Sequence, residues 1–199
     1  ASKLGKSLVK TCNNSAEIEA SYRFMRNEAI DSKDVEQAGF AVTAKHAEQF
    51  GEMLAIEDTT SLNYSHASVR DELGHITASK KARGIQAHSV LLYATDEKQI
   101  IGLIEQHRWS RDINSYGQSN KLANKTPYEE KESFKWERAS RHMSERLSEK
   151  AMSRVISVCD READIIEYIN YKLEHNQRFI VRSSKSRHIE EAADKLHNF

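Results

Sequence analysis

The sequence is poor in the features that would mark a secreted, membrane-spanning or zinc-stabilised protein. Two cysteines among 199 residues, Cys12 and Cys159, are too few for a disulfide framework and favour a reducing cytoplasm. No apolar run approaches the roughly 18 residues that cross a bilayer, and the first residues lack the apolar core of a signal peptide. The nine histidines show no His-x-x-x-His spacing and the cysteines no Cys-x-x-Cys spacing, which argues against structural zinc.

The sequence also has no excess of positive or negative charge, since 30 acidic residues balance 30 basic ones. Net charge therefore does not indicate a nucleic-acid partner, although local clustering of basic residues would still allow one. The length suits one domain with a sizeable core, or one domain plus a small extension. The sequence contains no internal repeat and no low-complexity tract.

Hydrophobic patterning predicts an α/β fold preceded by a small helical N-terminal region. The predicted strands are 53–58, 88–94, 100–106, 155–160 and 179–181, and the predicted helices are 15–24, 32–50, 131–150, 163–175 and one that opens at 189. The polar loop 111–128 holds the only proline and is long for an internal connection, which suggests mobility or a functional surface. A three-strand meander followed by βαβ crossovers describes a ribonuclease H-like fold with a mixed five-stranded sheet and flanking helices.

Two apolar runs each end in an aspartate, Asp58 after residues 53–56 and Asp160 after residues 155–158. The predicted fold places the first and fourth strands side by side at the centre of the sheet, so the two aspartates are expected to meet. Paired carboxylates form an oxygen-rich site for a hard divalent cation. Taken singly, Asp160 could instead cap a helix, and Asp58, before two threonines, could instead form a turn.

The sequence resembles the DDE transposases of bacterial insertion sequences, and its likeness is greatest to the transposon-five group. The resemblance covers nearly the whole chain. It is carried by residues 58–62 (DTTSL), 83–92, 160–165 (DREADI) and 173–183, and by residues 5–7 and 22–27 near the N-terminus.

The resemblance implies a domain division into 1–50, a helical DNA-contacting region, and 51–199, a ribonuclease H-like catalytic core. It implies two-metal phosphodiester cleavage and strand transfer, in which Asp58 and Asp160 hold Mg²⁺ or Mn²⁺, with two ions in the complete enzyme. The implied partner is double-stranded DNA, both transposon ends and target, and the implied location is the bacterial cytoplasm, in association with the nucleoid. The full-length enzyme is expected to be a homodimer in its synaptic complex, and this chain alone a monomer.

The third carboxylate of the family does not have a counterpart here. In the family it is a glutamate in a tyrosine-arginine-glutamate-lysine motif, beyond a β-rich insertion, and no such motif occurs in this sequence. The chain is therefore expected to be an inactive N-terminal portion. Glu57 is expected to point away from Asp58 along the strand. Glu162 could replace the missing glutamate, but a helix-start acid is the preferred interpretation.

The remaining candidates are supporting and DNA-contacting residues. Thr59, Arg161 and Glu162 are expected to support the aspartates, and Trp109 and Trp136 to lie in the core or at its rim. Two other functions stay open, a non-catalytic DNA-binding or regulatory transposase fragment and an unrelated metal-dependent phosphohydrolase. The DNA-contacting candidates are Lys6, Arg23, Arg26, Lys80, Lys81, Arg83, Arg182 and Lys185.

Overall fold

The computed structural model describes residues 6–64, 66–77, 81–113 and 126–184. They form two compact units, the first made of the described residues up to Gly39 and the second of those from Phe40 onward. The predicted helix at 189 and the candidates Lys80 and Lys185 lie outside the described residues, as does the centre of the predicted loop 111–128. The domain boundary expected at residue 50 stays a prediction.

The first unit contains short helices without a core. Helix α1 spans Leu8–Thr11, α2 spans Ser15–Met25, and α3 begins at Ser32. The Asn14 side chain caps α2 by accepting a hydrogen bond from the Glu17 backbone N–H at 2.9 Å. None of the residues 6–39 is buried, and Phe24 and Met25 are largely exposed. Burial of apolar surface within the unit therefore contributes little to its stability.

The second unit is built on a five-stranded mixed sheet with the strand order β3-β2-β1-β4-β5. Strands β1, β2 and β3 form an antiparallel meander, whereas β4 and β5 join the other edge of β1 in parallel. The predicted ribonuclease H-like arrangement, with the first and fourth strands adjacent, is confirmed. The strands are β1 Met53–Asn63, β2 Gly84–Ala94, β3 Gln99–Trp109, β4 Val155–Cys159 and β5 Arg178–Val181.

Helices flank the sheet. Helix α3 ends at Ala47, α4 spans Ala67–Arg70, α5 Lys135–Arg146, α6 Glu149–Met152 and α7 Ile166–Glu174. The helix predicted over 131–150 is wrong at both ends. Short 3₁₀ turns precede α5, and the backbone becomes extended at Leu147, after which the Ser148 side chain caps α6. The helix predicted from 163 begins at Ile166, because a 3₁₀ turn occupies Arg161–Ala163.

One face of the sheet carries the main core. Alternate residues of the three central strands, Met53, Val90 and Val155 among them, are buried against α5 and the end of α3. A second cluster, formed by Trp136, Cys159, Ala163 and Tyr168, extends this core toward the carboxyl end of β4. Gly84 opens β2 where a side chain would not fit, because a Cβ atom there would lie 1.8 Å from the Leu62 carbonyl oxygen.

Candidate functional site

Asp58 and Asp160 are the next residues after the last paired positions of β1 and β4. The parallel register ends at Glu57 opposite Cys159, so the two aspartates follow on neighbouring strands, which lie about 4.8 Å apart in a sheet. Glu57 and Cys159 are buried, whereas both aspartates are exposed. Because successive side chains alternate between faces, Asp58 and Asp160 lie on the face of the sheet opposite to that core.

Asp58 lies within β1 and does not end it, so the predicted end of this strand is wrong. The strand continues through Asn63, because residues 58–63 keep their antiparallel pairing with β2 after β4 has ended. The alternative of Asp58 as a turn-forming residue is therefore also wrong. Backbone pairing of Asp58 with Ser89 of β2 holds the aspartate in a fixed extended conformation.

Asp160 is held by a hydrogen bond of its own. Its Oδ1 accepts from the Glu162 backbone N–H at 2.8 Å and caps the 3₁₀ turn Arg161–Ala163. The capping interpretation is thus confirmed, but it does not exclude cation binding. A carboxylate offers about four acceptor positions, and the cap uses one of them.

The described residues contain no group of three or more His, Cys, Asp or Glu side chains placed to hold a metal ion. Glu57 points into the core, as strand alternation predicts. The Glu162 carboxylate forms an ion pair with Lys135, Nζ to Oε2 3.1 Å. Asp58 and Asp160 therefore stay candidate donors for a divalent cation. Oxygen donors of this kind fit Mg²⁺ or Mn²⁺.

A layer of buried polar side chains lies under the aspartates. His88 Nδ1 is 2.9 Å from the Thr59 hydroxyl, and His88 Nε2 is 3.8 Å from the Glu57 carboxylate, too long for a hydrogen bond. Neither the Glu57 nor the His88 side chain reaches solvent. The His88 ring also packs edge-on against Trp136, with ring centroids 4.6 Å apart. The contact between Thr59 and His88 was not evident from the sequence, and the supporting role of Thr59 stays a prediction.

A buried lysine belongs to the same layer. Lys172 Nζ donates hydrogen bonds to Ser157 Oγ at 2.8 Å and to Gln177 Oε1 at 3.0 Å. Burial lowers the pKa of Lys172, and the nearby Glu57 carboxylate opposes that shift. Burial likewise raises the pKa of the Cys159 thiol, so this cysteine is a packing residue and a poor nucleophile.

The predicted DNA-contacting residues divide between the two units. In the first, Lys6 is exposed, Arg23 lies 3.9 Å from Glu19, and the Arg26 guanidinium lies over the Tyr22 ring. In the second, Lys81, Arg161 and Arg182 are exposed, and Arg83 is half-buried in a β-bridge with His75. The Arg182 backbone N–H bonds the Cys159 carbonyl, which places Arg182 next to Asp160 in the sheet.

The comparison with protein families bears on the first unit. Residues 1–30 match the family model described as transposase DNA-binding. This match supports a transposase and DNA as its partner. Within the residues that the structure describes, no helix has the length and apolar character needed to cross a membrane.

Proposed function

We propose that this chain carries the DNA-binding region and the first two metal-binding carboxylates of a DDE-type transposase that cuts and rejoins DNA. The adjacency of Asp58 and Asp160 at the carboxyl end of β4 supports this most strongly. Two carboxylates that are far apart in sequence follow neighbouring strands there, an arrangement that suits metal-assisted phosphodiester cleavage. The match of residues 1–30 to transposase DNA-binding independently supports the DNA-binding part of this function.

Asp58 and Asp160 would hold Mg²⁺ or Mn²⁺ between them. Such ions, when bound, supply Lewis acidity toward the phosphodiester and a more acidic bound water. The chain's own contribution is positioning. Strand pairing fixes Asp58, and the cap to the Glu162 N–H fixes Asp160. Arg161 and Arg182 are exposed beside Asp160, where we propose that they contact DNA phosphates.

Lys6, Arg23 and Arg26 are proposed to bind phosphates from the first unit. Their side chains are exposed, and the ion pair between Arg23 and Glu19 is a weak surface pair that DNA can displace. We also propose that the complete enzyme acts as a homodimer on transposon ends, whereas this chain alone is a monomer. Sedimentation velocity tests the monomeric state of this chain, and a dimer would contradict it.

The metal half of the proposal is tested by calorimetric titration of Mn²⁺. Wild type should bind Mn²⁺, and Asp58→Asn and Asp160→Asn should each weaken the binding at least about tenfold. Asp96→Asn is the matched control, because Asp96 is an exposed aspartate in the β2–β3 turn at the opposite end of the sheet. Equal binding by all four proteins would remove both aspartates from the site.

The DNA half is tested by fluorescence anisotropy with a labelled duplex at several salt concentrations. Each neutralised phosphate contributes about 0.9 to the slope of log K against log salt. Replacing Lys6 or Arg26 by alanine should lower the slope by about 0.9, the contribution of one phosphate contact. Lys150 is an exposed lysine in α6, and Lys150→Ala should leave the slope unchanged. A salt-independent affinity would contradict a phosphate-binding surface.

A second function, a DNA-binding transposase fragment without catalysis, is favoured by one observation. The described residues supply no third carboxylate beside Asp58 and Asp160. A denaturing gel after incubation with a transposon-end duplex and Mn²⁺ separates the two functions. Nicks that Asp160→Ala abolishes would establish catalysis by this chain, and intact strands with retained duplex binding would favour the non-catalytic fragment.

A further inference from the structure

A cleft of about 350 Å³ opens where β3 ends, between that strand and the start of α5. Two aromatic rings of β3 line it, His107 and Trp109, which stack with an interplanar angle of 14° and ring centroids 5.2 Å apart. Both rings are half-buried. The pKa of His107 is lowered, first by burial and second by the nearby Arg138 guanidinium. His107 is therefore neutral, and its Nε2 accepts a hydrogen bond from Arg138.

Cations surround these rings, and carboxylates neutralise only some of them. Arg111 makes two hydrogen bonds to Glu132, at 2.8 and 2.6 Å, and Lys135 pairs with Glu162. The described residues give no carboxylate partner to the other two cations, which line the same cleft: Lys131 and Arg138.

Two acids also line the cleft, Asp112 and Glu130. Both are solvent-exposed, so water and salt weaken their repulsion of a bound anion. An aromatic surface beside cations that lack acidic partners is the combination that binds single-stranded nucleic acid, with bases on the rings and phosphates on the cations.

The cleft lies at the same end of the sheet as the aspartates but on its helix-covered face, because His107 pairs with His88 and Trp109 with Gln86, and both partners are buried. Strands β1 and β3 run in the same direction because each is antiparallel to β2, so Trp109 at the end of β3 and the second half of β1 share that end. Lys135 contacts residues of both the cleft and the aspartate site. Its Nζ lies 5.8 Å from the Trp109 ring centroid and donates a hydrogen bond to Glu162. The Glu162 backbone in turn bonds Asp160.

We infer that this cleft binds a single strand of DNA on the helix-covered face of the sheet, at the end of the sheet where the aspartate pair lies on the other face. A base packs against the exposed part of Trp109, and a neighbouring phosphate lies on Lys131 and Arg138. A duplex keeps its bases stacked on one another, so the aromatic surface selects an unpaired strand. The inference rests on the proposed function and adds a single-strand binding site to the aspartate site. It also assigns Trp109 a binding role in place of the core or rim role expected from the sequence.

Intrinsic fluorescence provides a direct test, because the chain has only two tryptophans. Trp136 is 1% exposed, so a bound strand can quench only Trp109. Oligothymidylate should quench the wild-type emission, and Trp109→Phe should abolish the quenching while labelled oligothymidylate still binds. Trp109→Ala should weaken that binding at least about fivefold, since stacking on an aromatic side chain contributes about 1–3 kcal/mol per base. Quenching retained in Trp109→Phe, or unchanged affinity in Trp109→Ala, would overturn the inference.

The phosphate contact has its own test. Lys131→Ala should lower the salt slope for oligothymidylate by about 0.7, the contribution of one phosphate in a single strand. Lys150→Ala should leave the slope unchanged, and an equal slope in Lys131→Ala would remove Lys131 from the contact.

Two further comparisons separate this inference from the proposed function. Oligothymidylate binding should persist in Asp58→Asn, because the cleft does not use Asp58. If the cleft inference alone is wrong, the protein should bind Mn²⁺ and duplex DNA, but oligothymidylate should not quench its fluorescence. Quenching that depends on Trp109, together with absent Mn²⁺ binding, would uphold the cleft and overturn the metal site.

Discussion

The Glu57 carboxylate faces His88 across strands β1 and β2, 3.8 Å from the imidazole Nε2, and neither side chain reaches solvent. This pair lies directly behind the candidate metal site, since Asp58 follows Glu57 along β1. The two neighbouring residues have opposite roles, one exposed at the site and one buried beneath it. The strand that presents Asp58 thus also contributes to a buried polar pair.

Replacing His88 by alanine should destabilise the protein by about 2–4 kcal/mol. The change leaves a cavity beside Trp136, removes the hydrogen bond to Thr59 and leaves Glu57 without its neighbour. Urea unfolding followed by circular dichroism measures the loss. His46→Ala, an exposed histidine in α3, should change the stability by less than about 0.5 kcal/mol. A His88→Ala loss no larger than that of the control would contradict the structural role of the layer.

Replacing Lys172 by methionine should change how stability depends on pH. The pKa of Lys172 is lowered in the folded protein, so between that pKa and 10.5 the unfolded chain binds more protons. Lys172 therefore makes wild type gain stability, relative to Lys172→Met, as pH rises toward 10.5. Urea unfolding of both proteins at pH 7, 8.5 and 9.5 provides the comparison. If the difference in the free energy of unfolding does not vary with pH, burial does not lower the pKa of Lys172.

Removing the cap of α2 should weaken DNA binding. Asn14→Ala loses the hydrogen bond from the Glu17 N–H, which stabilises a helix by about 1 kcal/mol, and the coreless first unit has little else to hold α2. We expect duplex affinity to fall about fivefold. Asn14→Ser retains a good cap and should bind like wild type. Circular dichroism should also show a gain of helix when duplex is added. Equal duplex affinity of the two variants would show that the stability of α2 does not affect DNA binding.

The number and order of the strands could be predicted from the sequence because each strand contains an apolar run. The extension of β1 through Asn63 could not, since residues 58–63 are mostly polar and their strand conformation comes from pairing with β2. The break after Arg146 was missed for a related reason. The apolar periodicity continues through Leu147, although the chain turns there to begin α6.

The aspartate pair could be predicted because strand order alone brings Asp58 and Asp160 together. The buried layer and the cleft could not. Thr59 and His88 are 29 residues apart in the sequence, and their contact follows only from the exact register of two strands. In the cleft, the alternation of His107, Trp109 and Arg111 was visible in the sequence, but their cationic neighbours come from the far side of a long loop.

The coupling between Mn²⁺ and duplex DNA tests the central claim most directly, because a metal ion held by Asp58 and Asp160 would also contact the bound DNA. Duplex affinity should be measured with and without Mn²⁺ at constant ionic strength. We predict that Mn²⁺ tightens wild-type binding at least about fivefold and that DNA tightens Mn²⁺ binding by the same factor, as linkage requires. Asp58→Asn and Asp160→Asn should lose this coupling, and Asp96→Asn should keep it. No coupling in wild type, or equal coupling in all four proteins, would contradict a metal site formed by the two aspartates.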